Sequence, residues 1–181
     1  MQYDILELDE SVLNNRGGYR YVFGVIDVAS GCAWFQGMKQ KSGSLLAFKS
    51  FEKWLRKVAP EISEHTQQDV KLEVLASDRD GGFTTTYGNI RSQFDEYFKG
   101  YSREFSNAGE PRQYSKIERL WRSAFEGATT LMKESGLRAD YFFDAVQHWL
   151  HTYNCMPTDA NRIDPKQAPW QTLGLKCYNF E

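Results

Sequence analysis

The sequence has few of the features that mark secreted, membrane-bound or fibrous proteins. Its three cysteines, Cys32, Cys155 and Cys177, are far apart and form no Cys-x-x-Cys pair. An odd and scattered set predicts reduced thiols in an intracellular protein. No apolar run approaches the roughly 18 residues needed to cross a bilayer. The opening MQYDILELDE lacks the basic segment and apolar core of a signal peptide. We therefore expect no membrane association.

The sequence also has no large excess of positive or negative charge. Lys and Arg number 22 against 24 Asp and Glu, a formal net charge of −2, which argues against a protein that coats nucleic acid by bulk electrostatics. Hydrophobic residues make up 41% and charged residues 25% of 181 residues, as in a globular domain with a real core. We find no repeat and no linker, and predict one domain over 1–157 with an irregular tail over 158–181.

The hydrophobic periods along the chain predict a mixed α/β domain. Three β-rich segments, at 2–9, 19–28 and 32–38, are separated by turn residues and predict adjacent antiparallel strands. A helical period from Leu45 to Val58 should stop before Pro60, with a loop over 61–69. The remaining predicted elements are a strand at 70–76, a short helix at about 89–98, a short strand at 102–105, and helices at about 116–134 and 139–153.

Three acids lie where such a domain gathers its chemistry. Asp4 is in the first predicted strand, Asp78 directly follows the fourth, and Glu118 opens the long helix. Sites in α/β sheets form outside the carboxyl ends of strands. Three converging carboxylates would suit Mg²⁺ or Mn²⁺, and a pair of such ions can clamp the attacking and leaving oxygens of a phosphoryl transfer.

Each acid also has a purely structural interpretation. Ser115-Lys-Ile-Glu118 fits a capping box, in which Glu118 only satisfies a backbone donor at the helix start. Asp78 and Asp80 stand beside Gly81-Gly82 and fit an ordinary turn. Asp4 competes with Asp9, and either can simply face solvent. Pattern alone leaves these alternatives open.

Several segments, in order, resemble the catalytic cores of integrases. They are Tyr3-Asp4-Ile-Leu, the run from Asn15 through Ile26-Asp27 to Trp34, Ser77-Asp78-Arg-Asp-Gly-Gly82-Phe83, Lys116-Ile-Glu118-Arg119, and Tyr153-Asn154-Cys-Met-Pro157. The set is similar to the cores of retroviruses, LTR retrotransposons and Polinton-type elements, over roughly residues 2 to 170.

The resemblance implies an RNase H-like fold with a mixed central sheet, three antiparallel strands plus shorter parallel ones, flanked by helices. It implies a DDE site of Asp4, Asp78 and Glu118 that holds Mg²⁺ or Mn²⁺, with two ions expected. It also implies trimming of a DNA end, whose 3′-hydroxyl then attacks a target phosphodiester. Asp27 matches a position that is usually not a metal ligand, and stays outside the expected site.

The chain departs from the family pattern in four ways. Asp78-Arg79-Asp80 stands where Asp-Asn-Gly is usual, so Asp80 is a possible substitute ligand. Residues 79–117, a spacer of 39, separate the second and third acids, a few more than usual. Asp4 lies almost at the terminus. The zinc-binding and DNA-binding modules of full integrases are absent, which suggests a core, a fragment or a domesticated descendant.

A positively charged segment surrounds the third acid. Residues 99–122 carry a net charge of +3, whereas the whole chain carries −2. Lys116 and Arg119 should share a helix face next to Glu118. With Arg112 they are predicted to contact DNA phosphates, and Tyr114 to stack on an unpaired base. Alternatively, Arg122 pairs with Glu118 and the other charges form a solvated face.

We therefore expect a DNA strand-transfer enzyme whose partners are element-end and target DNA. A homodimer or higher oligomer is expected, located in the nucleus if the host is eukaryotic. The alternatives are a domesticated, non-catalytic domain that dimerises or binds nucleic acid or protein, and a nuclease of the same fold without a joining step. His148, His151 and Cys155 have helical spacing but no fourth ligand, so we expect a structural role for them.

Overall fold

A mixed β-sheet organises the part of the chain that the computed structural model describes, namely residues 1–12, 14–72, 74–77, 97–105 and 115–177. Within those residues the strand order is β3-β2-β1-β4-β5. Strands β1 to β3 pair antiparallel, while β4 pairs parallel with β1 and with β5. The predicted α/β class and the three adjacent antiparallel strands are confirmed. The strands are β1 (Gln2–Glu7), β2 (Tyr21–Ile26), β3 (Ala33–Met38), β4 (Val74–Ser77) and β5 (Ser102–Phe105).

Helices cover both faces of this sheet. The predicted helices at 116–134 and 139–153 are confirmed, the second with a 3₁₀ turn as its first residues. Most of the helix predicted at about 89–98 lies outside the described residues. The α-helices described are α1 (Ser44–Thr66), α2 (Ser115–Ser135), α3 (Phe142–Asn154) and α4 (Pro169–Thr172), with 3₁₀ turns at Glu10–Val12, Lys41–Gly43, Phe98–Gly100 and Ala139–Tyr141.

The prediction that the first helix stops before Pro60 was wrong. Helix α1 continues through Pro60 to Thr66, so the loop expected over 61–69 is largely helical. Pro60 is exposed, and the carbonyl that its missing N–H would have bonded can therefore turn to water. Ile62 is 5% exposed and extends the apolar stripe of Leu55 beyond the proline. Burial of this second segment against the sheet outweighs the local cost of the proline.

The fourth strand is shorter than predicted. It spans Val74–Ser77 instead of 70–76. Its neighbours explain the difference: Met1 bonds to Val74 and Ala76, and β5 begins opposite Val74. Among the described residues no strand lies beside 70–72 to supply hydrogen bonds, and an alternating pattern alone cannot make a strand. Val70 and Leu72 instead pack half-buried against the core on the α1 side.

The two faces of the sheet carry separate cores. Along β1, Tyr3 and Ile5 point toward α1, while Leu6 points toward α2 and α3. The α1 side is rich in aromatic rings, centred on the fully buried Phe48. Because side chains alternate, Asp4 lies on the α2 side of β1. The strand pleat thus directs the first candidate acid toward the helix that carries Glu118.

The segment after α3 is held against the end of the sheet by buried amides. The Asn154 side chain donates to Ala33 O at 2.8 Å and accepts from Ala33 N at 2.9 Å. The buried Asn161 donates to Thr172 Oγ1, and the Arg162 backbone N–H donates to Ala29 O. These bonds fix residues 155–177 beside the β2–β3 turn. None of the helices in the described ranges is long and apolar enough to span a bilayer.

Candidate functional site

Asp4 is held in one orientation by two hydrogen bonds. Its Oδ1 accepts from the Ile5 backbone N–H at 2.7 Å, and its Oδ2 accepts from the Trp121 indole N–H at 3.1 Å. The side chain is half-buried in the middle of β1. Both carboxylate oxygens of Asp4 thus accept a hydrogen bond, one from the backbone of its own strand and one from α2. The sequence gives no sign of the bond to Trp121, which is 117 residues away.

Trp121 is fitted into the sheet by a glycine. It is 4% exposed and stacks on Phe35 with ring centroids 4.4 Å apart. Gly24 pairs with both Asp4 and Phe35 across the sheet, and a Cβ at this position would lie 2.5 Å from the indole. The missing side chain of Gly24 therefore allows the indole to reach the Asp4 carboxylate.

Glu118 lies in the first turn of α2 and is exposed. Trp121 follows it by three residues, so the two side chains are about one helical turn apart on neighbouring faces. The alternative in which Glu118 pairs with Arg122 is not found among the described residues, where no ion pair within 4.0 Å joins the two. The indole–carboxylate bond thus links the strand of the first predicted acid to the helix of the third.

The second predicted acid, Asp78, lies outside the described residues, as do Asp80, Arg112 and Tyr114. Their assignments stay predictions. Asp78 directly follows Ser77 in the sequence, and Ser77 is the buried last residue of β4. Because β4 is parallel to β1 with Ala76 opposite Gln2, the end of β4 is next to the strand that carries Asp4.

Lys116 connects α2, the β2–β3 turn and the segment after α3 by hydrogen bonds. Its ammonium donates to Val28 O at 2.6 Å and to Ala160 O at 3.0 Å, and so joins the start of α2 to the β2–β3 turn and the final segment. Burial lowers the pKa of this ammonium, and the positive charge of Arg162 lowers it further, against an opposing effect of Asp27. Two of its three N–H donors are therefore occupied within the protein.

Lys116 and Arg119 do lie on one helix face, as predicted, and both line a cavity of about 340 Å³ with Arg162. Glu118 is not part of this lining. At about 100° per residue, Glu118 projects roughly 150° away from the middle of that face. The structure therefore brings the two predicted DNA-contacting cations together, but on the flank of α2 opposite the candidate acid. We call this space the basic cavity.

The Asp27 side chain has a structural role in the turn that follows β2. Its Oδ2 accepts from the Ser30 N–H at 2.8 Å and from the Ser30 hydroxyl at 2.7 Å, which caps the turn between β2 and β3. This turn role is in keeping with its exclusion from the predicted site. Within the described ranges no three acidic, histidine or cysteine side chains are grouped closely enough to hold a metal ion. The described candidate ligands are thus the oxygen donors Asp4 and Glu118.

Two residues of this region were not found from the sequence. Trp121 has the helical apolar spacing of a core residue in the sequence, and that spacing hides its polar bond. Arg162 lies in the segment predicted to be irregular, far from the positive run at 99–122. No local pattern in the sequence shows which helix Arg162 faces.

Comparison with known proteins defines the fold but not a family. No protein-family model matches the chain, and no curated protein matches it. Among the solved structures of similar fold is a chain of the cryo-EM structure of the simian T-cell lymphotropic virus intasome in complex with PP2A regulatory subunit B56 gamma.

That similarity has a TM-score of 0.62 at 13% sequence identity, and covers 95% of this chain and 52% of that one. This protein therefore spans about half the length of the chain it resembles. At so low a sequence identity, the structural similarity shows a shared fold and no more. It says nothing by itself about the reaction or the partners of this protein.

Proposed function

We propose that this chain is the RNase H-like catalytic core of a DDE integrase, which joins DNA ends to target DNA. The observation that carries the proposal is the hydrogen bond from Trp121 to Asp4. It links the strand of the first acid to the helix of the third, and it supports a site in which the two act together. The fold shared with a chain of a retroviral intasome structure supports the same class of enzyme.

The candidate ligands suit a hard divalent cation. Carboxylate oxygens are the donors that Mg²⁺ and Mn²⁺ prefer, and both described candidates are of this type. In the proposal, Asp4, Asp78 and Glu118 hold two ions, which would lower the pKa of a bound water and stabilise charge on the phosphate. Asp78 enters through the sequence motif and its position directly after β4.

The remaining roles belong to the protein itself. The Ile5 N–H and the Trp121 indole keep the Asp4 carboxylate facing the α2 side of the sheet. The buried Trp121–Phe35 stack packs α2 against β3, two strands from β1 in the sheet. Glu118 is exposed at the start of that helix and accessible to a DNA strand. Fixed carboxylates avoid reorganisation as charge develops on the phosphate.

The proposed partners follow from this chemistry. The substrates are DNA ends and a target duplex, and Arg112 and Tyr114 stay proposed contacts on the segment before α2. Two ends must be joined to one target, so we propose that the active form is a dimer or higher oligomer. A chain near neutral overall should bind DNA weakly by itself and lose that binding with added salt.

The experiment uses a labelled branched duplex that mimics the product of joining. The reverse reaction on this substrate requires no knowledge of the natural element ends, because the branch itself supplies the reacting phosphodiester. The protein is incubated with Mn²⁺, and the released strands are separated by length. We expect release by the wild type and a fall of about a hundredfold or more in Glu118→Gln, as when one transition-state-stabilising group is removed.

The matched control is Glu126→Gln, an exposed glutamate two turns later in the same helix, which should keep full activity. Release that survives Glu118→Gln unchanged would remove Glu118 from the site. Cutting without any rejoined product would indicate a nuclease. DNA binding without release in the wild type would favour the non-catalytic alternative.

A further inference from the structure

The basic cavity has the composition of an anion site. It lies between the first turns of α2, the end of α3 and the segment after it, with a volume of about 340 Å³. Three cations and one carboxylate line it, together with the hydroxyls of small polar side chains. The residues that matter are Lys116, Arg119, Arg162, Asp159, Ser123 and Thr158. Cavities of this size accommodate small ligands or one nucleotide.

The cations are held close together although they repel one another. The charges of Arg162 and Arg119 both lower the pKa of Lys116, which shows that the three share one electrostatic environment. An anion in the cavity would relieve this repulsion. Asp159 offsets only one of the three charges, and it is exposed at the rim.

Hydrogen bonds hold the Arg119 guanidinium and the Arg162 backbone in place beside the cavity. Arg119 donates through Nε to Ser115 O at 2.8 Å and through Nη2 to the Ser115 hydroxyl at 3.1 Å, which fixes its plane along the helix. The Arg162 backbone is held by its bond to Ala29 O at 2.8 Å, next to the buried Asn161. The exposed side chain of Arg162 makes no ion pair with any described residue.

We infer that the basic cavity binds a phosphate group, with the forks of Arg119 and Arg162 as its principal donors and Lys116 as a fixed third charge. Guanidinium forks match phosphate oxygens in pairs and are the strongest neutral-pH donors for them. The hydroxyls of Ser123 and Thr158 complete the donor set. The phosphate belongs to a nucleic-acid backbone or to a small phosphorylated molecule.

This inference does not rest on the proposed strand transfer. The cavity is on the flank of α2 opposite Glu118, and of the two proposed acids that the structure describes, Asp4 and Glu118, neither lines it. If it seats a nucleic-acid backbone, it gives the protein a second contact with a duplex, away from the reacting phosphate. The final segment of the chain then contributes to binding through Arg162, which explains why buried amides hold it in place.

The test measures binding without catalysis. Affinity for a labelled duplex of arbitrary sequence is measured by fluorescence anisotropy at several salt concentrations. Affinity for inorganic phosphate and for a nucleoside monophosphate is measured by calorimetry. We expect Arg162→Gln and Arg119→Gln each to weaken phosphate binding by about tenfold, and to lower the salt slope of duplex binding by about one.

Controls separate the cavity from general charge. Arg138→Gln removes an exposed arginine that pairs with Asp140 at 3.2 Å outside the cavity, and should change binding by less than about twofold. Arg162→Lys should restore part of the affinity. Thermal unfolding of each variant verifies that it is folded.

The outcomes are distinct. Loss of both duplex and phosphate binding supports the inference and identifies nucleic acid as the source. Loss of phosphate and nucleotide binding alone supports it and identifies a small phosphorylated molecule. Unchanged binding in both Gln variants, or no phosphate binding by the wild type, overturns it. A protein inactive on branched DNA can still bind phosphate here, so the two proposals fail separately.

Discussion

Replacing Trp121 by phenylalanine isolates the bond between the helix and the first acid. The ring of phenylalanine keeps most of the stack on Phe35 but has no N–H to donate to Asp4 Oδ2. A hydrogen bond to a charged group contributes about 1.5–3 kcal/mol when part-buried. Shortening the ring at a 4% exposed position costs about 1 kcal/mol more. We expect Trp121→Phe to lower the free energy of unfolding by about 2.5–4 kcal/mol.

The assay is urea unfolding followed by circular dichroism, with Trp149→Phe as the matched control. Trp149 is half-buried on α3 and stacks on Tyr153, and its indole donates to no described residue. Its replacement should cost only about 1 kcal/mol, because only ring contacts are lost. A double-mutant cycle with Asp4→Ala should give a coupling energy of about 1–2 kcal/mol between residues 4 and 121.

Equal costs for the two tryptophan variants, or an additive cycle, would refute the argument that the indole stabilises the carboxylate. A functional measurement extends the test. If Asp4 is a ligand, Trp121→Phe should raise the Mn²⁺ concentration needed for half-maximal activity by about 10- to 100-fold, as for other residues that orient a ligand. Trp149→Phe should leave that concentration unchanged.

Three further predictions concern stability. Pro60→Ala should raise the free energy of unfolding by about 1–3 kcal/mol, because it restores an N–H inside α1 at an exposed position; urea unfolding measures this. Asn154→Ala should lower it by about 2–4 kcal/mol, because both backbone groups of Ala33 lose their partner. Tyr97 and Tyr101 donate to the buried Glu52 carboxylate, and burial together with these bonds raises the pKa of each to about 12. The unfolded phenols ionise near pH 10, so stability from the pair is complete below about pH 10 and is lost as the pH rises through about 12.

Each of these has a control. Pro157→Ala lies outside the helices and should not stabilise the protein; destabilisation by Pro60→Ala would show that the proline packs favourably. Thr152→Ala removes an exposed hydroxyl that bonds only within its own helix, and should cost well under what Asn154→Ala costs. A double Tyr97→Phe, Tyr101→Phe variant should show a weaker decline in stability above about pH 10. An identical decline in the double variant would show that other groups cause it.

Helices and strands were predicted correctly where the local sequence pattern matched the burial that the folded protein imposes. The strands before residue 40 and the helices after residue 115 are close to their predicted positions, because alternation and helical spacing there coincide with faces that are buried. The predictions failed at Pro60 and at Val70 to Leu72. At Pro60, burial of Ile62 accompanies a helix that continues past the proline. At Val70 to Leu72, no neighbouring strand in the described part of the chain completes the ladder.

The residues of the candidate site were likewise predicted from the sequence, whereas the contacts between them were not. Asp4 and Glu118 were selected from the sequence by the resemblance of their segments to integrase cores, because local pattern alone left a structural interpretation open for each. Their connection was not predictable. It depends on an indole N–H reaching across to a strand 117 residues earlier, over a glycine that leaves room for it.

By itself, the sequence indicated the α/β class and the order of the elements, since these depend on residue types at short spacing, and its resemblance to integrase cores selected the three acids worth testing. Only the tertiary structure decided which flank of α2 each charge occupies. It separated Lys116 and Arg119 from Glu118 and brought Arg162 beside them from the end of the chain. The reason is physical: helix rotation is fixed by what the apolar face buries, and chain folding brings together charges whose separation in sequence carries no information about their distance in space.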